Sequence, residues 1–176
     1  MSARHRLALL AVVCSNVLPV RLVAQAGAAP TPCAADSERR RFDFWVGEWD
    51  VTTQGGTSVG KSSVQIINGG CSLLENWTSV RGSTGKSLNS YNPATSAWQQ
   101  YWVDQSGNVV EFRESVSRDR SLAFLAKTLA VNGTTTLRRL TFTPLSDSTV
   151  RQHAEQSSDA GASWTTTYDF VYHRRR

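Results

Sequence analysis

The chain has 176 residues, 40% hydrophobic and 19% charged, with six Trp, six Phe and four Tyr. That supports one ordinary domain with a real core and excludes a disordered chain. The formal net charge is +5, but the basic residues are bunched rather than spread along a face with interleaved aromatics, which argues against a nucleic-acid partner.

At the start, Arg4, His5 and Arg6 precede the apolar run Leu7 to Val13, which continues more weakly to Val23 and meets Ala24-Gln25-Ala26. A basic start, an apolar stretch and an A-x-A site read as a secretory signal peptide over residues 1–26. Ser15, Asn16, Pro19 and Arg21 interrupt the run, which falls short of the roughly 20 apolar residues a bilayer requires, so no stable membrane insertion is expected. Val13 stands before Cys14 where a lipobox needs a small residue, which disfavours lipidation. Removal of Arg4, Arg6 and Arg21 with the peptide lowers the formal charge from +5 to +2. The remaining excess sits in Arg39-Arg40-Arg41 and Arg174-Arg175-Arg176, and a secreted or periplasmic protein is the expectation. Cleavage also removes Cys14 and leaves Cys33 and Cys71 in an oxidising compartment, where two thiols usually pair; two buried free cysteines are the alternative.

Residues 27–41 read as a linker and the start of a short helix running from Asp36, a plausible N-cap, to Phe44. Residues 42–176 form the main domain. From Glu48 to Tyr172 short Thr-, Val-, Tyr- and Trp-rich runs alternate with turn signals, without sustained helical periodicity. The turns fall at Gly55-Gly56, Asn68 to Gly70, Gly82 to Gly85, Asn92-Pro93, Ser106 to Asn108, Arg118-Asp119, Asn132-Gly133, Ser146-Asp147 and Asp159 to Gly161. The strands between them are predicted at 48–54, 58–67, 72–81, 86–91, 97–104, 109–116, 121–129, 134–143, 149–157 and 164–173. An antiparallel meander of ten strands without covering helices removes both edges only by closing, so the expected fold is an all-β, roughly ten-stranded, antiparallel up-and-down barrel with the short N-terminal helix closing one end.

The most specific string is Phe42-Asp43-Phe44-Trp45-Val46-Gly47-Glu48-Trp49-Asp50, with a G-x-W at the entrance to the first strand. It resembles the calycin superfamily, and more closely an uncharacterised family of secreted bacterial calycin-like proteins. That pattern continues in Cys71 to Trp77, Gly85 to Asn92, Trp98 through Trp102-Val103-Asp104, and Tyr168 to Arg175. The resemblance implies a lipocalin-like barrel in which Trp49 is buried at the closed end with Arg174 or Arg175 stacked over its indole. It supplies no activity. Chains of this kind often carry an aromatic where this one has Ala154, which implies a locally larger cavity. A single S-x-D-x-G-x-x-W, Ser157 to Trp164, matches the Asp-box pattern of sialidase-like propellers and reads here as a hairpin device, since one copy implies no propeller.

Period-two alternation places Leu73, Glu75 and Trp77 on one face of the third strand, Ser87, Asn89 and Tyr91 on one face of the fourth, and Trp98, Gln100, Trp102 and Asp104 on one face of the fifth. Aromatics beside amides and a carboxylate suit a cavity lining with a few orienting groups. Glu75, Trp77, Asn89, Tyr91, Gln100 and Trp102 are therefore the candidate ligand contacts, converging on a cavity open opposite the N-terminal helix. A purely structural Glu75, satisfied by a buried Arg113 or Arg138, is the alternative.

No residue set identifies a catalytic centre. Past the signal peptide the histidines are His153 and His173, and H-E-x-x-H, C-x-x-C, G-x-S-x-G and phosphate loops are lacking. Glu75 with Glu111 or Glu155 is the one carboxylate pairing to consider for glycoside chemistry. The sequence thus reads as a secreted barrel binding a small, partly polar molecule, with no metal or cofactor expected and no oligomeric state specified. A barrel enzyme using Glu75 for acid-base chemistry, or a structural or partner-binding barrel with a filled interior, are the competing readings.

Overall fold

Ten antiparallel strands follow one another in the computed structural model, which describes residues 33–129 and 133–176. They are β1 (Gly47–Thr53), β2 (Ser58–Ile67), β3 (Ser72–Ser79), β4 (Thr84–Asn92), β5 (Ala97–Asp104), β6 (Val109–Glu114), β7 (Leu122–Leu129), β8 (Thr135–Ser146), β9 (Thr149–Ser157) and β10 (Thr165–Arg174). Each strand pairs with the next, and β10 returns to β1, so the sheet is a closed up-and-down barrel. The predicted strands coincide with these apart from their ends. β8 runs past its expected end because Pro144 is accommodated at a bulge, where a missing ladder N–H is tolerated. The predicted signal peptide, with Cys14, and Asn132 of the predicted Asn132-Gly133 turn lie outside the described residues.

The N-terminal segment begins as expected and then departs from one continuous helix. The Asp36 carboxylate accepts from the backbone N–H groups of Glu38 and Arg39 and starts α1 (Ser37–Arg40), after which a separate 3-10 turn spans Asp43–Trp45. The break lets Phe42 and Trp45 both turn inward, where each is fully buried. Phe42 lies 4.9 Å and Trp45 4.6 Å from the Phe142 ring, and Phe42 meets the edge of Trp98 at 5.5 Å. Arg41 bridges this segment to Glu114 of β6, and the Trp98 indole donates to the Glu38 carbonyl at 3.0 Å. A disulfide joins Cys33 to Cys71 with a Cα separation of 5.0 Å, fixing the segment to the β2–β3 connection.

The G-x-W motif is explained by three residues. Trp49 is fully buried and donates its indole N–H to the Trp45 carbonyl at 2.9 Å. The Arg174 guanidinium lies 4.3 Å from the centre of the Trp49 ring and donates to the Val46 carbonyl at 2.7 Å. Gly47 has φ +142°, and a Cβ there would stand 2.2 Å from Arg174 Nη1, so the glycine supplies both the backbone conformation and the space for the stacked guanidinium. Of the two candidate arginines it is Arg174 that stacks. Arg175 turns to Glu48 and Asp50, at 4.0 and 3.9 Å.

Strand direction divides the interior into two halves. The starts of β1, β3, β5, β7 and β9 lie beside the N-terminal segment, and there Trp49, Leu73, Trp98, Leu122, Phe124, Phe142, Val150 and Tyr172 pack with Phe42 and Trp45 into one apolar cluster. The opposite half contains the polar interior. Ladder length also varies: β7 and β8 pair at eight positions, whereas β6 and β7 pair at Arg113–Leu125 and Glu114–Phe124, both near the N-terminal segment.

Candidate functional site

In the half of the barrel away from the N-terminal segment lies a pocket of about 420 Å³. Glu75 and Trp77 of β3, Gln100 and Trp102 of β5, Val110 and Phe112 of β6, Arg138 and Leu140 of β8, Gln152 and Ala154 of β9, and Tyr168, Phe170 and Tyr172 of β10 line it. Two strand glycines make room for the indoles. A Cβ on Gly60 would come within 2.6 Å of the Trp77 ring, and one on Gly85 within 2.3 Å of the Trp102 ring. Trp77 is parallel to Phe170 at 6.2 Å, and Phe170 stacks on Tyr168 at 4.6 Å, so one wall is a continuous aromatic surface.

Glu75 is 3% exposed. Its two oxygens accept from Ser62 Oγ and Ser87 Oγ, each at 2.9 Å. Behind Ser87 the network continues: Asn89 Nδ2 donates to Ser87 Oγ at 2.9 Å, and Gln100 Nε2 donates to Asn89 Oδ1 at 2.8 Å. Every donor in this chain points toward the carboxylate, an arrangement in which each bond polarises the next. Burial pushes the Glu75 carboxyl up to about 7, against the opposing pull of the Ser62 and Ser87 hydrogen bonds. The Tyr168 hydroxyl is pushed up by burial and then by the Glu75 charge, while the Arg138 charge draws it down. Tyr172 is likewise held well above its ordinary value, and its hydroxyl donates to Gln152 Oε1 at 2.8 Å.

Four of the six expected contacts, Glu75, Trp77, Gln100 and Trp102, line this pocket. Asn89 is fully buried one step behind it and holds Ser87 and Gln100 in place. Tyr91 lies elsewhere, 6.4 Å from Trp98 and with Arg39 over its ring at 5.7 Å, beside the N-terminal segment. The physical reason is rise: Ser87 and Tyr91 share a face, but four residues of strand separate them by about 13 Å along the barrel. Asp104 leaves the pocket for the same reason and caps its turn, accepting from the Ser106 and Asn108 N–H groups at 2.8 and 3.0 Å. The partners of the Glu75 oxygens are hydroxyls, not the guanidinium of Arg113, which is on the exposed face of β6, or of Arg138.

Neither of the other carboxylates considered pairs with Glu75. Glu111 is exposed, and Glu155 is held by Arg139 through two hydrogen bonds of 2.8 and 2.9 Å. His153 meets Thr166 at 3.1 Å and His173 meets Thr52 at 3.2 Å, both in exposed positions. Ala154 does face the pocket, so a small residue there enlarges it. The Ser157–Trp164 loop is the hairpin device expected. Ser157 donates to Asp159 at 2.7 Å, Asp159 accepts the Ser163 N–H at 2.9 Å, and Arg139 lies 4.4 Å over the Trp164 ring.

Apart from Ala154, and Arg138 as a candidate partner of Glu75, sequence reasoning missed the contribution of β8, β9 and β10. Tyr168, Phe170 and Tyr172 alternate as plainly as the residues of β3, and that pattern was the available signal. Nothing in Arg138-Arg139 marks which of the two faces inward. No protein-family model matches the chain, and no curated protein matches it in sequence.

Proposed function

We propose that the protein is a secreted, calycin-like barrel that binds a small, partly polar molecule in the pocket around Glu75, with the N-terminal segment closing the other end. The observation that carries this reading is a carboxyl group almost fully withdrawn from water, held by two hydroxyls and placed at the wall of a 420 Å³ recess beside stacked aromatics. A carboxyl group is costly to bury without a cation, and a recess lined by rings and a few oriented polar groups is the usual form of a small-molecule site. The pairing of Trp49 with Arg174 across the chain ends supports the calycin-like assignment. Native mass spectrometry of the protein purified from its own host is the test. A bound small molecule, lost on Glu75→Gln without loss of the fold, is the expected result, and an empty barrel that no compound quenches by tryptophan fluorescence would overturn it.

One observation favours a second reading, acid-base catalysis: a carboxyl pushed up to about 7 has both forms populated at neutral pH. In that case Glu75→Gln abolishes turnover while leaving affinity for the bound molecule intact.

A further inference from the structure

We propose that the pocket is selective for an amine carried on an aromatic or apolar body, with the ammonium seated against the Glu75 carboxylate and the body against the Trp77, Phe170 and Tyr168 rings. This rests on the small-molecule reading above and names the chemistry of its ligand.

The argument begins with the number of acceptor sites. An ionised carboxylate offers about four lone-pair directions, and Ser62 and Ser87 occupy one on each oxygen. A further donor from the pocket side completes the shell, and a donor that also brings positive charge offsets the burial of the negative one. The protein supplies hydroxyls at this point: Ser62 from β2, and Ser87 from β4 held in turn by Asn89 and Gln100. The donor network holds Glu75 in one orientation before any ligand arrives, which reduces the cost of ordering on binding.

The walls suit the same partner. Aromatic faces attract ammonium groups through the ring quadrupole and accept a flat apolar body without desolvating polar groups. Trp77, Phe170 and Tyr168 form a single stacked face on one side of Glu75's pocket. The titratable and charged groups that share the pocket are Tyr168 and Tyr172, both kept neutral by burial, Arg138, and the Arg139–Glu155 pair, whose charges are mutually satisfied. Arg138 comes from near the start of β8, the end of that strand farther from the N-terminal segment, whereas Glu75 is midway along β3. The cation of the wall is therefore set toward the outer part of the recess and the carboxylate toward its middle.

Seating an ammonium requires the ionised form of Glu75. The free pocket holds that carboxyl near 7, so binding from acidic solution releases a proton to the buffer, and affinity rises with pH until the ligand amine itself deprotonates.

The experiment uses three matched probes, 2-phenylethylamine, 3-phenylpropionate and 2-phenylethanol. They are titrated into the mature, disulfide-bonded protein at pH 5.5 and 8.5, followed by tryptophan fluorescence and by calorimetry in buffers of different ionisation enthalpy. The amine should bind at least tenfold more tightly than the other two at pH 8.5, should tighten at least tenfold between pH 5.5 and 8.5, and should release a proton at the lower pH. Glu75→Gln should remove the preference while the protein stays folded and still binds the alcohol, and Arg138→Gln should tighten the amine. Equal binding of amine and alcohol, or preference for the propionate, overturns the amine assignment and leaves the small-molecule reading standing. Failure of all three probes to bind overturns the amine assignment too, and native mass spectrometry then decides the broader reading by itself.

Discussion

Glu75 should weaken the fold as the pH rises from about 4.5 to 7. Its carboxyl is held near 7 in the folded protein by burial, above its ordinary value of 4.5. The folded state therefore binds the proton more tightly than the unfolded chain. The resulting penalty is absent below about pH 4.5, grows across the window up to 7 and is complete above it. Glu75→Gln keeps the shape and the hydroxyl contacts without the charge. The variant should gain on the order of 3 kcal/mol over the parent at pH 8 and little at pH 4.5, measured by denaturant unfolding at both pH values. Equal effects at the two pH values would show that the carboxyl is solvated after all. Trp49 makes the opposite kind of contribution. Trp49→Ala leaves a cavity in the apolar half and strands Arg174, and should cost about 3–5 kcal/mol in unfolding free energy. An unchanged melting temperature would contradict the stacking of Arg174 on that ring.

At the scale of the strands, Gly60 and Gly85 are as much a part of the pocket as the tryptophans they face. Either glycine replaced by alanine drives a methyl into an indole ring, since the positions involved are 2.6 and 2.3 Å from Trp77 and Trp102. Gly85→Ala should cost about 1–3 kcal/mol and change the tryptophan emission, because Trp102 must leave its place. Circular dichroism and fluorescence spectra identical to those of the parent would refute this. The strands themselves were legible from sequence because Thr-, Val- and aromatic-rich runs alternate between clear turns, and period two correctly sent Glu75, Trp77, Gln100 and Trp102 inward. Period two carries no information about depth, which is why Tyr91 and Asp104 were grouped with them. It also says nothing of which distant strands curl round to complete a wall. Arg138, Gln152 and Tyr168 face Glu75's pocket only because β10 closes on β1. The glycine requirement was invisible for the same reason: the ring that excludes a Cβ at Gly60 belongs to another strand.

For the molecule as a whole, the Cys33–Cys71 bond holds the N-terminal segment, and with it Phe42 and Trp45, against the barrel. It closes a span of 38 residues, which restrains the unfolded chain by roughly 3–4 kcal/mol in the chain-entropy model. Cys71→Ser should lower stability by about that amount. Alkylation of the unreduced, denatured protein followed by mass measurement should find neither cysteine modified; two modified thiols would remove the bond from the account.

The short ladder between β6 and β7 bears on how firmly the wall of the pocket is held. A barrel has no free edges where its strands are fully paired, but here Val109–Phe112 and Ala126–Leu129, each laddered to its other neighbour, carry no ladder pairs with one another, and Val110 and Phe112 are themselves part of the pocket wall. Parting the strands at that seam breaks fewer backbone bonds than parting them at any fully laddered seam, so the wall of the recess is most easily loosened there. The amides of Val109–Phe112 directed toward β7 should therefore exchange faster than those of β8 and β9 in the empty protein, and should slow when the pocket fills. A loose seam of this kind lets the wall carrying Val110 and Phe112 adjust to what the pocket holds while the strand that carries Glu75 and Trp77 stays fully laddered.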